Sequence, residues 1–185
     1  MREIELKAVL RDKAEAIRKL EAMGCVWSHP VRQEDTIFFL PGMHPPAPIG
    51  ANVLRLRREN GKTLFTFKRS MAEHSDKLEA ETVVDDNEAM ERIIAYLGYD
   101  TLIRVNKVRT KTHVGQVEVC LDEVEGLGAF IEVELMIADD GDGNAAIVEL
   151  EEFLERLGVM KDDRVFTRGY DVLLYERGLV QQLPV

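Results

Sequence analysis

The chain of 185 residues carries 24 basic and 34 acidic side chains, which gives a formal net charge of −10. This acidic balance argues against a nucleic-acid partner, whose binding needs a basic stripe, and no apolar run approaches the ~20 residues that span a membrane. The length is typical of a single domain, which we predict over 1–185. Cys25 and Cys120 lack the spacing of metal ligands or of a disulfide scaffold, so we expect a cytoplasmic protein.

Eight segments of the chain alternate polar and apolar residues with the period of two that is typical of β-strands. In chain order they cover 2–9, about 31–40, 52–58, 63–68, 77–84, 101–113, 116–122 and 129–137. Short returns such as Asn60-Gly61 favour antiparallel neighbours. Residues 41–50, rich in proline and glycine, are predicted to form a mobile surface loop and a candidate lid.

A pattern of three parts is repeated along the chain: a strand with Glu-x-Glu, an acidic turn, and an amphipathic helix that ends at a glycine. The three strands carry Glu3-Ile4-Glu5, Glu79-Ala80-Glu81 and Glu132-Val133-Glu134, and the turns carry Asp12, Asp85-Asp86 and Asp139-Asp140. After each turn, apolar residues recur at helical spacing. Gly24, Gly98 and Gly158 suit the left-handed position just beyond a helix end, so three helices are predicted.

The charged residues of the predicted strands fall on one face. On the first strand Glu3, Glu5 and Lys7 alternate with the apolar residues Ile4, Leu6 and Ala8, and further along Lys107 and Arg109 flank Val108. One alternative is an open sheet whose charged face lies in solvent. The other is a closed barrel with a charged lumen, because three amphipathic helices need the apolar face as a partner. The second alternative predicts an α+β fold, an eight-stranded antiparallel β-barrel with helices packed on the outside.

Carboxylates and basic side chains cluster on different strands. A Glu-x-Glu pair brings two carboxylates within reach of one hard cation such as Mg²⁺ or Mn²⁺. The basic residues could cradle several phosphate oxygens, arginine with bidentate geometry and lysine as a point charge; they are Arg55, Arg57, Lys68, Lys107 and Arg109. Burying so many charges is costly unless they pair with one another, a metal or a ligand. A metal and a polyphosphate are therefore the expected ligands.

Several of these motifs occur together and in a fixed order. They are Glu3-Ile4-Glu5-Leu6-Lys7, Glu34-Asp35-Thr36, Leu54-Arg55-Leu56-Arg57, Thr66-Phe67-Lys68, Lys107-Val108-Arg109 and the block from Leu121 to Glu134. In this the chain resembles the CYTH family, also called triphosphate tunnel metalloenzymes, which includes class IV adenylyl cyclases, thiamine triphosphatases and inorganic triphosphatases. The resemblance implies an eight-stranded tunnel that holds a triphosphate and a metal. The chain departs from the family after Arg109, where Thr110 to His113 stand in place of a frequent aromatic residue.

The resemblance also implies roles for individual residues. The metal would bind Glu3, Glu5, Glu132 and Glu134, and the phosphates would bind Lys7, Arg55, Arg57, Lys68, Lys107 and Arg109, with Lys7, Arg57 and Lys107 acting in catalysis. The second-tier acids Glu79, Glu81 and Asp122 would bind a further metal or orient the basic residues. Gly169 to Leu174 looks like the family's C-terminal tail, a helix expected over about 163–178 near one mouth of the tunnel.

Among these activities the resemblance favours a class IV adenylyl cyclase, in which the ribose 3′-hydroxyl of ATP attacks the α-phosphorus and expels pyrophosphate. Two alternatives stay open: a triphosphatase that directs water at thiamine triphosphate, inorganic triphosphate or a nucleotide, and a module that binds polyphosphate without catalysis. The substrate depends on space at the tunnel mouth, which the tail and the loops 41–50 and 69–76 determine. A homodimer is compatible with the sequence. The histidines His29, His44, His74 and His113 are not assigned to catalysis.

Overall fold

The computed structural model describes residues 2–70, 77–165 and 168–179. The elements in these ranges are β1 Arg2–Val9, α1 Lys13–Ala22, β2 Val31–Phe39, β3 Asn52–Glu59, β4 Lys62–Ser70, β5 Lys77–Val84, α2 Asn87–Tyr96, β6 Asp100–Val114, β7 Val117–Val124, β8 Gly128–Ile137, α3 Gly143–Leu157 and α4 Tyr170–Glu176. All eight predicted strands are confirmed, with small differences at their ends. Most of the predicted loop 69–76 lies outside the described residues, since β4 extends to Ser70 and 71–76 are not described.

The eight strands form one sheet in the order β1-β8-β7-β6-β2-β3-β4-β5. Antiparallel pairing joins β1 to β8, β8 to β7, β2 to β3, β3 to β4 and β4 to β5. The hairpin between β3 and β4 turns at Asn60 and Gly61, whose φ angles of 49° and 73° are the positive values that a two-residue hairpin requires. The predicted fold class, α+β with eight antiparallel strands and packed helices, is confirmed.

Backbone contacts divide the described residues into two compact units. The first comprises 2–30, 108–124 and 128–165, and the second comprises 31–70, 77–107, 125–127 and 168–179. Each unit has its own apolar cluster and its own group of charged side chains. No helix in the described ranges is both long and apolar enough to cross a membrane.

The core of the first unit lies between α1, α3 and one face of β1, β7 and β8. The apolar face of β1 contributes Ile4, Leu6 and Ala8, as the alternation predicts, and the other members include Leu20, Val119, Leu121, Ile131, Val133, Leu150, Phe153 and Leu154. Because alternate residues of a strand point to opposite sides, burial of this set leaves the charged residues of the same three strands on the other face. The core thereby determines where the acidic residues lie.

The ends of the helices follow local signals. The Asp12 carboxylate accepts a hydrogen bond from the Glu15 N–H at 2.8 Å and caps α1. At the third helix the cap is Asp142, which accepts from the Asn144 N–H at 2.9 Å, so the predicted acidic turn Asp139-Asp140 lies ahead of the cap. Gly24, Gly98 and Gly158 all have left-handed φ angles, of 82°, 85° and 86°, as predicted.

The second unit packs α2 against β2, β3 and β4. Ile94 of α2 is buried with Phe38, Leu54 and Leu56, and Phe65, Phe67 and Met90 are partly buried around them. Residues 41–50 contain neither helix nor strand, as predicted. The lid role of this loop stays a prediction.

The tail is less helical than the resemblance implies. Residues 161–163 form a 3₁₀ turn, Arg164 forms an isolated antiparallel bridge with Ala8, and α4 covers Tyr170–Glu176 in place of about 163–178. Arg164 has an extended backbone, with ψ of 133°, because it pairs with β1, and an extended residue ends any helix that would pass through it. Residues 166 and 167 lie outside the described part of the chain.

Candidate functional site

Three predicted metal ligands lie together on the polar face of the first unit. Glu5 on β1 stands opposite Glu134 on β8, and Glu3 lies two residues before Glu5 on the same face. Carboxylate oxygens of these three residues lie within 4.8 Å of one another. Burial, together with the charges of Glu3, Glu5, Glu132 and Glu118, raises the pKa of Glu134 to about 7. Such a group suits a hard divalent cation, which would remove the repulsion.

Glu132, the fourth predicted metal ligand, is engaged by basic side chains. It is 4% exposed, and its carboxylate contacts Lys7 at 3.0 Å and also the guanidinium of Arg109. Arg109 donates two further hydrogen bonds to Asp122, at 2.7 and 2.5 Å. The second-tier acid Asp122 is therefore a partner of Arg109, and Glu132 joins Lys7 to Arg109 rather than joining the group of Glu3, Glu5 and Glu134.

These ion pairs keep both cations charged. Burial alone would lower the pKa of Arg109, but its bonds to Asp122 and the charge of Glu132 outweigh burial and raise that pKa. Burial likewise opposes the charge on Lys7, yet Glu132 and Glu5 raise the pKa of Lys7 above its usual value. Lys7 lies 3.5 Å from Glu5, so it connects the buried pairs to the carboxylate group.

Two residues that sequence reasoning misses, Glu118 and Cys120, lie beside the carboxylate group. On β7 they stand opposite Glu134 and Glu132, and ligand atoms of Glu118, Cys120 and Glu134 lie within 4.8 Å of one another. Burial raises the pKa of the Cys120 thiol, which keeps it protonated. The signal that could have found both is the alternation of β7, in which Glu118, Cys120 and Asp122 share the face opposite to the core. Glu118 also binds Lys111 at 2.5 Å and the exposed His113 at 3.2 Å.

In the second unit, arginines of β3 pair with carboxylates of β2 and β5. Arg57 donates two hydrogen bonds of 2.7 Å to Asp35, which stands opposite it on β2. Burial would raise the pKa of Asp35, but the hydrogen bonds and charge of Arg57 lower it, so Asp35 stays ionised. Sequence reasoning quotes Asp35 within a motif but gives it no role. Its position opposite Arg57 becomes evident only from the strand register.

Arg55 and Lys68 are held by the second-tier acids of β5. Arg55 lies 3.4 Å from Glu81 and 3.9 Å from Glu79, and it donates to the Thr66 hydroxyl at 3.1 Å. Lys68 contacts Glu79 at 3.0 Å. Burial, followed by the charge of Arg57, lowers the pKa of Arg55. The Nε of Arg55 has no hydrogen-bond partner among the described residues, so this guanidinium retains capacity for an anion.

The predicted basic residues of β6 are buried, whereas the apolar residue between them is exposed. Lys107 is 5% and Arg109 9% exposed, whereas Val108 between them is 40% exposed. The alternation of charged and apolar residues therefore holds on β6, and the charged face is the buried one: Arg109 contacts Asp122, and the Lys107 ammonium lies 4.9 Å from the centroid of the Tyr170 ring. Sequence reasoning assigns no role to Tyr170.

Sequence comparison with known proteins identifies the family to which the chain is similar. The family model of the CYTH domain matches residues 1–170. A protein of Methanocaldococcus jannaschii, provisionally named an adenylate cyclase, is 30% identical over 165 residues, which cover 88% of this chain and 93% of that protein. An adenylate cyclase of Aeromonas hydrophila is 28% identical over 172 residues, with 92% and 87% of the two chains covered.

Solved structures share the fold. A protein of Pyrococcus horikoshii superposes with a TM-score of 0.75 at 30% identity, over 95% of this chain and 99% of that one. A Hippeastrum protein described as having a dominant triphosphatase activity superposes with a TM-score of 0.63 over 98% of both chains. At 18% identity the second likeness shows the fold alone.

Proposed function

Because this chain belongs to the CYTH-domain family, we propose that it is a metal-dependent enzyme that converts ATP to cyclic AMP and pyrophosphate. The observation that carries the proposal is the group of Glu3, Glu5 and Glu134, in which burial and the neighbouring carboxylates raise the pKa of Glu134 to about 7. The names of the relatives from M. jannaschii and A. hydrophila support the cyclase over other activities.

The carboxylate group fits the expected cation. Three carboxylates offer hard oxygen ligands, which Mg²⁺ and Mn²⁺ prefer. Glu3, Glu5 and Glu134 would hold the metal, which when bound would supply positive charge and increase the acidity of a hydroxyl group close to it. Glu132 is proposed to hold Lys7 and Arg109 in place, because its carboxylate already contacts both.

The basic residues are proposed to bind the phosphates. In the cyclase reaction a bond forms between the ribose 3′-oxygen and the α-phosphorus, while the bond from that phosphorus to the oxygen bridging to the β-phosphate breaks. Pyrophosphate leaves with the negative charge of that oxygen, and the proton of the 3′-hydroxyl passes to water. Fixed cations that are already oriented stabilise this charge without reorganisation; the candidates are Lys7, Arg55, Arg57, Lys68, Lys107 and Arg109, and the carboxylates Asp35, Glu79, Glu81 and Asp122 would orient them.

A triphosphatase is the second candidate. The cationic groups recognise phosphate rather than a nucleoside, so the same residues would serve if water attacked the terminal phosphorus of thiamine triphosphate, inorganic triphosphate or a nucleotide. Product analysis by chromatography separates the candidates when purified protein is incubated with ATP, thiamine triphosphate or inorganic triphosphate, each with Mg²⁺ and with Mn²⁺. Cyclic AMP with pyrophosphate supports the cyclase; orthophosphate without a cyclic product supports the hydrolase; binding without any product indicates a polyphosphate-binding module.

The metal site has its own test. We expect Glu5→Ala and Glu134→Ala each to lower turnover by about 100-fold or more while the circular dichroism spectrum stays unchanged. Binding of Mn²⁺, followed by electron paramagnetic resonance, should weaken in both variants. Glu123→Ala is the matched control, because Glu123 is exposed and pairs with Lys13 at 2.6 Å. Normal turnover and Mn²⁺ binding in the Glu5 and Glu134 variants would refute the assigned ligands.

A further inference from the structure

The Tyr170 ring contacts Lys107, a buried cation that the proposed function assigns to phosphate binding. The Lys107 ammonium lies 4.9 Å from the centroid of the Tyr170 ring. Lys107 is 5% and Tyr170 7% exposed, so water screens little of the attraction between the charge and the face of the ring. Tyr170 is also the first residue of α4, which begins directly after Gly169.

The short helix α4 is fixed by contacts on several sides. Val172 and Leu174 are buried, and the Arg177 guanidinium donates to the Gly126 carbonyl at 3.4 Å. At the same end of α4, the Tyr175 ring stacks on His44 of the 41–50 loop, with centroids 5.4 Å apart and planes inclined by 17°. A helix of seven residues held in this way presents the Tyr170 ring in one place.

An aromatic ring has a specific advantage in orienting a lysine. A lysine side chain loses much rotamer freedom when it is ordered, and a ring that orders it in the resting protein removes that cost from the binding step. The face of a ring attracts the ammonium without supplying an opposite unit charge that a phosphate would have to displace. The contact therefore orients the Lys107 ammonium without neutralising its positive charge.

We propose that Tyr170 is a positioning residue, which holds the Lys107 ammonium in place for a substrate phosphate through the face of its ring. The proposal rests on the proposed function, since it takes Lys107 as a phosphate ligand. It also gives α4 a role, since this helix places the Tyr170 ring against Lys107.

A double-mutant cycle tests whether Tyr170 acts through Lys107. Tyr170→Leu keeps an apolar side chain without a π-face, and we expect it to lower kcat/KM and to weaken binding of inorganic triphosphate by about tenfold, whereas Tyr170→Phe stays within about twofold of the wild type. In a Lys107→Met background, Tyr170→Leu should change neither quantity. Tyr175→Leu removes an aromatic ring from the same helix, and its effect should be equal in both backgrounds.

A spectroscopic measurement reports the contact without relying on activity. In protein labelled with ¹³C-lysine, the ring current of Tyr170 should shift the Lys107 ε-methylene resonance upfield; the shift should persist in Tyr170→Phe and vanish in Tyr170→Leu. Its absence from the wild type overturns the proposal. An equal loss from Tyr170→Leu in both Lys107 backgrounds also overturns it and leaves α4 a packing element. If wild-type protein neither binds nor converts any triphosphate while the shift is present, the proposed function fails, and the positioning role fails with it.

Discussion

At the scale of single residues, burial and the neighbouring carboxylates both oppose the ionisation of Glu134. Its pKa is about 7 in the folded protein, against an ordinary value of 4.5. Between these values the unfolded chain has released the proton that the folded protein still holds, so the free energy of unfolding falls as pH rises. The stability that the folded protein gains by keeping this proton is fully present below pH ~4.5 and fully lost above pH ~7.

The prediction concerns metal-free protein. In the presence of a chelator, Glu134→Gln should be more stable than the wild type at pH 8 by on the order of 2 kcal/mol, and the difference should disappear near pH 4.5. Urea unfolding at a series of pH values measures it. Glu149→Gln on the exposed side of α3 is the control and should follow the wild type at each pH. A constant difference at all pH values would show that ionisation of Glu134 is not the cause.

Neighbouring arginines on β3 allow a matched comparison of phosphate binding. Arg57 is buried against Asp35, whereas the Arg58 side chain is 61% exposed and pairs with Glu34 at 2.8 Å. We expect Arg57→Ala to weaken binding of inorganic triphosphate by ~1.5 to 3 kcal/mol, the range for a hydrogen bond to a charged group. Arg58→Ala should leave the affinity unchanged. Isothermal titration calorimetry measures both, and equal affinities in the two variants would remove Arg57 from the phosphate ligands.

At the scale of elements, α3 supports the strands that carry the acidic residues. Leu154 on α3 is fully buried in the core of the first unit, while Val148 on the same helix is 52% exposed. Leu154→Ala should lower the free energy of unfolding by about 2 to 5 kcal/mol, because it leaves a cavity against the apolar face of the strands. Val148→Ala should cost about 0.5 kcal/mol or less. Chemical denaturation measures both, and a small loss for Leu154→Ala would mean that the core can collapse around the gap.

At the scale of the whole molecule, ligand binding should stabilise the folded chain. A ligand at 100 times its Kd adds about 2.7 kcal/mol to the free energy of unfolding, which corresponds to a rise in Tm of roughly 5 to 10 °C for a chain of this length. We expect this rise with inorganic triphosphate and Mn²⁺ together. Calorimetry at matched concentrations measures it, with Arg58→Ala responding like the wild type and Arg57→Ala responding less. A wild-type Tm that does not move under saturating ligand would contradict binding to the folded state.

The sequence by itself determined the features that depend on neighbouring residues. Alternation with a period of two located the eight strands of the described residues, because it reflects the geometry of a single extended segment. The left-handed glycines after α1, α2 and α3 are likewise local, since glycine, which has no Cβ, adopts that conformation without steric cost. The same alternation placed Glu3, Glu5 and Lys7 on one face of β1 and the core residues on the other.

Only the tertiary structure decided which charges meet. Glu132 and Glu134 both belong to the same Glu-x-Glu motif, yet Glu134 joins Glu3 and Glu5 while Glu132 joins Lys7 and Arg109. The register between β1 and β8, whose residues are more than a hundred positions apart in the chain, makes that choice. The contact of Lys107 with Tyr170 depends in the same way on packing of distant segments. Motif spacing carries no information about such pairings, because they follow from the register and packing of elements that are remote in sequence.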